Sequence, residues 1–279
     1  MIKPFQKDDA FLADVRACKD RAGFRAWWVG QSGFLVQWDG RHLLFDPYLS
    51  DSLTKKYATT DKPHVRMTEQ VVDPAALDFI DVTTSTHNHT DHLDGDTLSP
   101  LRAANPDLKL VMPEANRAFA ANRLQCEESW PVGLTAGEFV DVAGFTFHGI
   151  PAAHNELETD DAGRHKFMGY VVQFGPYSVY HSGDTLWFDG MVNWLKKWEV
   201  DIAFLPINGN KPERRVAGNL NCEEAAQLGK EIGAGCVIPC HYEMFEFNTA
   251  SPGVFVNTCE RIGQECRVLE AGEKIEVVK

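Results

Sequence analysis

Four side chains of the types that bind metal ions lie within six residues, near the end of the first third of the chain. They are His87, His89, Asp91 and His92. An isolated histidine is usually a surface or hydrogen-bonded core residue. Three histidines and a carboxylate at this spacing are instead typical of the metal centres that activate water in hydrolytic enzymes. The cluster therefore predicts a hydrolytic metal site.

The run before this cluster, from Phe79 to Thr86, is rich in β-branched residues and predicts a buried strand that delivers the histidines at its carboxyl end. Alternate side chains of an extended chain share a face. We therefore expect His87, His89 and Asp91 to converge, while His92 points to a neighbouring position. One loop would then serve two adjacent metals.

Three later residues are candidates for the rest of the ligand shell, because each follows a strand-like run. They are His154, Asp184 and His241. Taken alone, each has an ordinary interpretation as a loop histidine or a turn aspartate. Taken with the first cluster, they predict a complete metal centre.

This ordered set of residues resembles the metallo-β-lactamase fold superfamily, in which His-x-His-x-Asp-His is followed by a histidine, an aspartate and a final histidine. All seven positions are filled here. The resemblance implies two metal sites bridged by Asp184. The first would be formed by His87, His89 and His154. The second would be formed by Asp91, His92 and His241. Asp46 matches the early structural aspartate of the superfamily.

Further segments resemble the L-ascorbate-6-phosphate lactonase branch of that superfamily. They are Leu205–Asn210, Gly218–Asn219, Glu224–Ala226 and Ile238–Phe245. The predicted substrate contacts are Asn208, Asn210 and Arg214. The basic run from Lys211 to Arg215 lies close in sequence to these residues, and its alternative interpretation is a solvated charged loop. His181, three residues before Asp184, is either a hydrogen-bond partner of a ligand or a buried structural histidine.

The predicted reaction is hydrolysis by a metal-bound hydroxide, with Asp91 and Asp184 as the catalytic carboxylates and two divalent ions as cofactors. The donor types suit Zn, Fe, Ni or Mn, and the family resemblance implies Mn or Zn. The leading function is a lactonase or carbohydrate-ester hydrolase acting on a small substrate, phosphorylated or not. The alternative is a phosphodiesterase acting on a lipid or nucleotide. An alternative of another class is a non-catalytic metal-bound regulatory or nucleic-acid-binding protein.

The bulk composition favours a small-molecule enzyme. The chain has 279 residues, of which 44% are hydrophobic, and no linker or repeat divides it, so we predict a single domain over residues 1–279. A net charge of -13 disfavours a broad nucleic-acid-binding surface. The amino-terminal residues contain no apolar stretch of signal-peptide length, and no run of eighteen apolar residues occurs, so a cytoplasmic location without membrane contact is expected.

The cysteines and aromatic residues leave two features open. Seven cysteines without a Cys-x-x-Cys pair predict reduced thiols, and Cys240 is expected to pack in the core rather than react. Seven tryptophans and 17 phenylalanines are compatible with a core alone or with the apolar interface of a homo-oligomer.

Strand-like and helix-like runs alternate along the chain, which predicts an α/β fold, and the family resemblance implies a four-layer αββα sandwich. Asp39-Gly40 predicts a hairpin between two strands of an antiparallel meander. A helix is expected from Cys222 to Ile232 with Asn221 as its N-cap, and Arg267–Val278 is expected to close an edge.

Overall fold

The computed structural model describes residues 1–19 and 21–279, and it contains two mixed β-sheets with helices around them. The first sheet contains β1 (Phe24–Gly30), β2 (Gly33–Trp38), β3 (Arg41–Phe45), β4 (Val82–Thr84), β5 (Lys109–Pro113), β6 (Pro131–Leu134) and β13 (Lys274–Val277). The second contains β7 (Phe139–Val142), β8 (Phe145–Pro151), β9 (Met168–Phe174), β10 (Tyr177–His181), β11 (Ile202–Pro206) and β12 (Cys236–Cys240). The α-helices are α1 (Asp8–Ala17), α2 (Ser52–Tyr57), α3 (Gly95–Ala104), α4 (Arg117–Leu124), α5 (Met191–Leu195), α6 (Cys222–Ile232) and α7 (Gly253–Ile262).

Both sheets change from antiparallel to parallel pairing. In the first sheet the order is β13-β1-β2-β3-β4-β5-β6, antiparallel up to β3 and parallel from β3 onwards. In the second the order is β12-β11-β10-β9-β8-β7, antiparallel between β7 and β10 and parallel from β10 to β12. The predicted α/β fold of the αββα type is confirmed.

Local sequence signals explain two of these elements. Asp39 and Gly40 both have positive φ, 48° and 70°, as the tight turn of a two-residue hairpin requires. Asn221 accepts a hydrogen bond from the Glu224 backbone N–H, and the Glu224 carboxylate accepts one from the Asn221 N–H, each at 2.9 Å. This capping box starts α6 at the predicted residue.

The strand predicted over Phe79–Thr86 is much shorter in the structure, only Val82–Thr84. The Ile80 N–H donates to the Asn105 side chain, and the Thr86 N–H donates to Asp46, so neither end continues the strand ladder. The closing edge is likewise only Lys274–Val277, paired with β1. Helices α1 and α7 and strands β6 and β7 were not predicted.

The core lies between the sheets. The stacked rings of Phe34 on β2 and Phe204 on β11, with centroids 4.0 Å apart, join the two halves. A shared core is what a single domain requires. The assignment of residues 1–279 to one domain stays a prediction. Among the described residues, no helix combines the length and apolar character that a membrane span needs. The cytoplasmic location also stays a prediction.

Candidate metal centre

All seven predicted ligands lie in loops that follow strands, and both sheets contribute. The loop after β4 in the first sheet carries His87 to His92, whereas His154, Asp184 and His241 follow β8, β10 and β12 in the second sheet. Their ligand atoms form two groups, each with all atoms within 4.8 Å of one another. We call the first the histidine cluster: His87, His89 and His154. We call the second the carboxylate cluster: Asp91, His92, Asp184 and His241.

Asp91 does not converge with His87 and His89, so the expectation from strand alternation was wrong for this residue. The backbone N–H groups of His92 and Leu93 both donate to the His89 carbonyl, at 3.1 and 2.8 Å. The chain therefore turns at His89, and the rule for an extended segment no longer applies. Asp91 is directed to the same cluster as His92.

The Asp184 carboxylate lies between the two clusters. Its Oδ2 is 3.6 Å from His154 Nε2 and 3.2 Å from His241 Nε2, and its Oδ1 is 3.3 Å from His92 Nε2. Gly183 has a φ of 59°, and a Cβ there would lie 2.6 Å from Thr86 side-chain atoms. Only glycine fits this turn without strain, and the turn aims Asp184 at both groups of histidines.

Buried hydrogen bonds orient the imidazoles. His92 Nδ1 lies 2.7 Å from Asp46 Oδ2, and His154 Nδ1 lies 2.9 Å from the Gly218 carbonyl. Donation from Nδ1 to these acceptors leaves each Nε2 free for a metal. Asp46 also accepts hydrogen bonds from Thr84 Oγ1 at 2.6 Å and from the Thr86 N–H at 3.1 Å. Burial would raise the pKa of Asp46, but the bond from His92 and the nearby charges hold this pKa below its usual value.

Several buried ligand atoms have no hydrogen-bond partner among the described residues. They are His87 Nε2, His92 Nε2 and Asp184 Oδ1. Native proteins rarely leave buried polar atoms unpaired. Imidazole nitrogens and carboxylate oxygens are also the donor set that divalent transition metals prefer. The seven side chains therefore fit divalent metal ions.

The two clusters differ in charge. Burial lowers the pKa of His87 well below 6.5 and that of His154 to about 4, so these imidazoles are neutral at pH 7. Burial acts the same way on His92 and His241, but the charge of Asp184 outweighs it and raises both pKa values. Burial would raise the pKa of Asp184, and the charges of these two histidines hold it well below 3.8.

Gln31 belongs to the site, although the sequence analysis did not select it. Its Nε2 donates to Asp91 Oδ2 at 2.8 Å and lies 3.1 Å from His241 Nε2. The backbone carbonyl of Gln31 accepts a hydrogen bond from the backbone N–H of His241 at 3.0 Å. Gln31 has a φ of 51° and follows Gly30 with a φ of 99°. The two glycines of Gly30-Gln31-Ser32-Gly33 are a sequence signal for a tight turn, but an amide side chain is not a usual metal ligand, so ligand chemistry did not single out Gln31.

Comparison with known proteins identifies the family to which the chain belongs. Residues 41–242 match the sequence pattern of the beta-lactamase superfamily domain. The chain belongs to this superfamily. The UPF0173 metal-dependent hydrolase of Opitutus terrae is 30% identical over 259 residues, which are 91% of this chain and 100% of that protein. Like such relatives, this member of the beta-lactamase superfamily is a metal-dependent hydrolase.

Two solved structures share the fold. Igni18, a metallo hydrolase from Ignicoccus hospitalis, has a TM-score of 0.67 at 22% identity and covers 92% of this chain and 99% of its own. The metallo-beta-lactamase fold protein YhfI from Bacillus subtilis has a TM-score of 0.66 at 17% identity and covers 92% and 100%. At these low sequence identities, the similarity shows a shared fold only.

In this superfamily member, both clusters open into one cavity of about 430 Å³. Asn208, Asn210 and Arg214, the predicted substrate contacts, are not among the residues that line it. Arg214 donates to the Asn208 carbonyl at 2.5 Å, to Asn248 Oδ1 at 3.1 Å and to the Thr249 carbonyl at 2.8 Å. Its guanidinium thus holds the loop together. The role of the three residues in substrate binding stays a prediction, which this geometry does not favour.

His181 and Cys240 lie in the packed interior. His181 Nε2 is 2.7 Å from the Ser32 carbonyl, its Nδ1 accepts from the Gly183 N–H at 3.2 Å, and its ring stacks on Phe45. Of its two predicted roles, the structure selects the buried structural histidine. Cys240 is also buried, and burial raises the pKa of its thiol well above the usual value. A protonated thiol is a poor nucleophile, which agrees with a packing role.

Proposed function

We propose that this superfamily member hydrolyses an ester or lactone bond of a small substrate, with two divalent metals held by the histidine and carboxylate clusters. The observation that carries the proposal is that both clusters meet at Asp184 and open into the same cavity. Its volume of about 430 Å³ is in the range of small-molecule sites. A phosphorylated carbohydrate lactone such as L-ascorbate 6-phosphate is the proposed substrate type.

A divalent metal bound here would supply a Lewis acid that lowers the pKa of water towards neutrality. Imidazole and carboxylate donors suit several transition metals, and the family resemblance makes Mn and Zn the proposed ions. Asp91 lines the cavity, and Gln31 fixes one of its oxygens at 2.8 Å. That carboxylate is therefore oriented to accept the proton of the attacking water. Asp184 holds the histidines of both clusters in a common geometry.

The wall of the cavity matches a small organic substrate. The rings of Tyr57, Phe119 and Phe245 line it together with the predicted ligands. Aromatic faces pack against the body of a substrate and exclude water, while a few polar groups set its orientation. The scissile bond would then lie against the clusters, with the remainder of the molecule against these rings.

The test is a comparison of two substrates for the protein loaded with Mn or Zn: L-ascorbate 6-phosphate and bis(4-nitrophenyl) phosphate. We expect hydrolysis of the lactone, abolished in His89→Ala and retained in His148→Ala. His148 lies on β8, the strand that leads to His154, and bonds to Gln173 outside the cavity. Comparing these two variants distinguishes the effect of losing a metal ligand from the effect of losing a histidine elsewhere.

Cleavage of the phosphodiester alone would contradict the lactonase proposal and support the phosphodiesterase alternative. Bound metal without hydrolysis of either compound would favour the regulatory alternative.

A further inference from the structure

The cavity wall beyond the predicted ligands has a distinctive charge distribution. Lys56 on α2 and Arg123 on α4 both line it. Within the part of the chain that the structure describes, the only carboxylates in this wall are Asp91 and Asp184. Because both are predicted to neutralise metal ions, the remainder of the wall is cationic. This is unexpected in a chain with 40 acidic and 27 basic residues.

Arg123 is held beside the metal-binding loop. Its Nη1 donates to the Asn88 carbonyl at 2.6 Å and to the Leu93 carbonyl at 3.2 Å. Asn88 separates His87 from His89 in the chain, so the guanidinium is fixed to the loop of the histidine cluster.

The guanidinium of Arg123 has N–H donors that are not used in hydrogen bonds to the described protein. Its plane lies over the ring of Phe119, with 4.5 Å between the guanidinium carbon and the ring centroid. Within residues 1–19 and 21–279, only its Nη1 donates to protein acceptors, the Asn88 and Leu93 carbonyls, and Arg123 is not ion-paired with any carboxylate. A guanidinium carries five N–H donors. The others are therefore free to bind a ligand from a preset position.

Lys56 supplies a second, more mobile charge. Its ammonium lies 5.1 Å from the ring centroid of Tyr57, which also lines the cavity. Tyr57 in turn stacks on His64, with centroids 4.2 Å apart. No carboxylate lies within ion-pair distance of Lys56 in the described chain. A flexible ammonium and a fixed guanidinium together suit an anion better than a neutral group.

We propose that Arg123 and Lys56 form an anion-binding subsite, through which the enzyme selects substrates that carry a phosphate or carboxylate beside the scissile bond. This inference deepens the proposed hydrolase function and rests on it. The planar fork of Arg123 matches two oxygens of such a group. The rings of Tyr57 and Phe119, which lie beside Lys56 and Arg123 respectively and also line the cavity, would hold the uncharged part of the substrate.

The first experiment compares two esters with the same leaving group, mono-4-nitrophenyl adipate and 4-nitrophenyl hexanoate. In the adipate, a carboxylate replaces the terminal methyl group of the acyl chain. We expect the ratio of their kcat/KM values to fall at least about tenfold in Arg123→Gln, mainly through KM, since a charge-assisted hydrogen bond is lost. Lys56→Gln should lower the ratio less. The controls are Arg117→Gln on α4, which is ion-paired with Glu114 outside the cavity, and Lys55→Gln on α2.

Because Arg123 also binds the Asn88 carbonyl, the ratio is the decisive quantity. If both esters lose activity equally, or if only metal content falls, Arg123 acts structurally and the subsite is wrong. Partial recovery of the ratio in Arg123→Lys would support it. Competition by inorganic phosphate and by acetate then distinguishes the two anions, because the preferred group inhibits at the lower concentration.

A second measurement separates this inference from the proposed function. If the wild type hydrolyses neither ester, binding of inorganic phosphate to the metal-free protein is measured by calorimetry. Weaker binding in both Arg123→Gln and Lys56→Gln would retain the subsite while the hydrolase proposal fails. Equal binding in wild type and variants would overturn the subsite.

Discussion

The histidine cluster and the carboxylate cluster share the loop after β4 but differ in charge. In the histidine cluster, burial lowers the pKa values of all three imidazoles, so the group is neutral without a metal. In the carboxylate cluster, burial would raise the pKa values of Asp91 and Asp184, but the charges of the neighbouring histidines lower them. Burial would lower the pKa values of His92 and His241, but the charges of these carboxylates raise them. The imidazoles of the first cluster are therefore neutral at pH 7, whereas those of the second retain their protons to a higher pH than an ordinary histidine.

This difference predicts different costs of metal binding. A metal ligand must be deprotonated. The histidine cluster meets that condition at neutral pH, but His92 and His241 must first release their protons. In exchange, the carboxylate cluster offers two negative charges to the ion. Metal affinity at the histidine cluster therefore depends on its three neutral ligands. Metal affinity at the carboxylate cluster also depends on displacing protons from His92 and His241.

Loss of the shared carboxylate should break both clusters at once. We expect Asp184→Asn to lower kcat/KM by about a thousandfold and to reduce metal content in both clusters, because it removes a negatively charged ligand that both share. This exceeds the loss of about 10- to 100-fold that is typical of a residue that only supports a ligand. Steady-state kinetics with metal analysis checks this. Asp189→Asn, an exposed neighbour on the same segment, is the control. An active Asp184→Asn protein with two bound metals would contradict the bridging role.

The pH dependence of metal affinity should distinguish the clusters. Below their raised pKa values His92 and His241 are protonated, so affinity at the carboxylate cluster should rise with pH, by about tenfold per unit for each proton displaced. At the histidine cluster, where the pKa of His154 is about 4, affinity should change little above about pH 5.

Chelator-competition titrations between pH 5.5 and 8.5 would measure the two slopes separately. His241→Ala leaves the histidine cluster, and His154→Ala leaves the carboxylate cluster. If metal affinity changed equally with pH in the two variants, the proposed electrostatic difference between the clusters would be wrong.

Removal of the partner of His92 should affect the carboxylate cluster and the fold together. Asp46→Asn is expected to weaken metal binding there by roughly 10- to 100-fold. It should also lower the free energy of unfolding of the metal-free protein by about 3 kcal/mol, since it leaves the buried His92 charge without its partner. Urea unfolding measures the second effect. Asp39→Asn, which keeps the hairpin turn, should behave as wild type.

The smallest effect is expected at Gln31, which contacts only the carboxylate cluster. Gln31→Ala should weaken metal binding at that cluster by about tenfold, because Asp91 loses a hydrogen bond at 2.8 Å. Binding at the histidine cluster should not change, and it serves as the internal control in the same titration. A similar loss at both clusters would indicate a general distortion of the loop.

The sequence was sufficient to predict the fold class and the seven candidate ligands, because metal-binding residue types at fixed spacing are visible without coordinates. The family resemblance also predicted how they are grouped, whereas strand alternation alone placed Asp91 in the wrong cluster. Asp91 changed cluster because of two backbone hydrogen bonds to His89, which no side-chain pattern records. Gln31 reaches Asp91 across 60 residues of chain, a contact that only the packed sheets create.

The cationic residues show the same limit. Arg214 was selected because it lies near other site-like motifs in sequence, yet its guanidinium binds Thr249 and Asn248. Arg123 lies in a helix without any motif, and tertiary packing brings it to the cavity. The position of a long charged side chain depends on which acceptors the fold places around it.

The origin of the predicted ligands in both sheets has a mechanical consequence. His87 and His89 follow a strand of the first sheet, and His154 follows a strand of the second, so one ion in the histidine cluster would act as a cross-link between the two layers. Such a link closes a long loop of chain without a covalent bond. Free metal at a hundred times its dissociation constant would stabilise the folded state by about 2.7 kcal/mol. The ion would thus clamp the two halves of the sandwich together as well as serve the reaction.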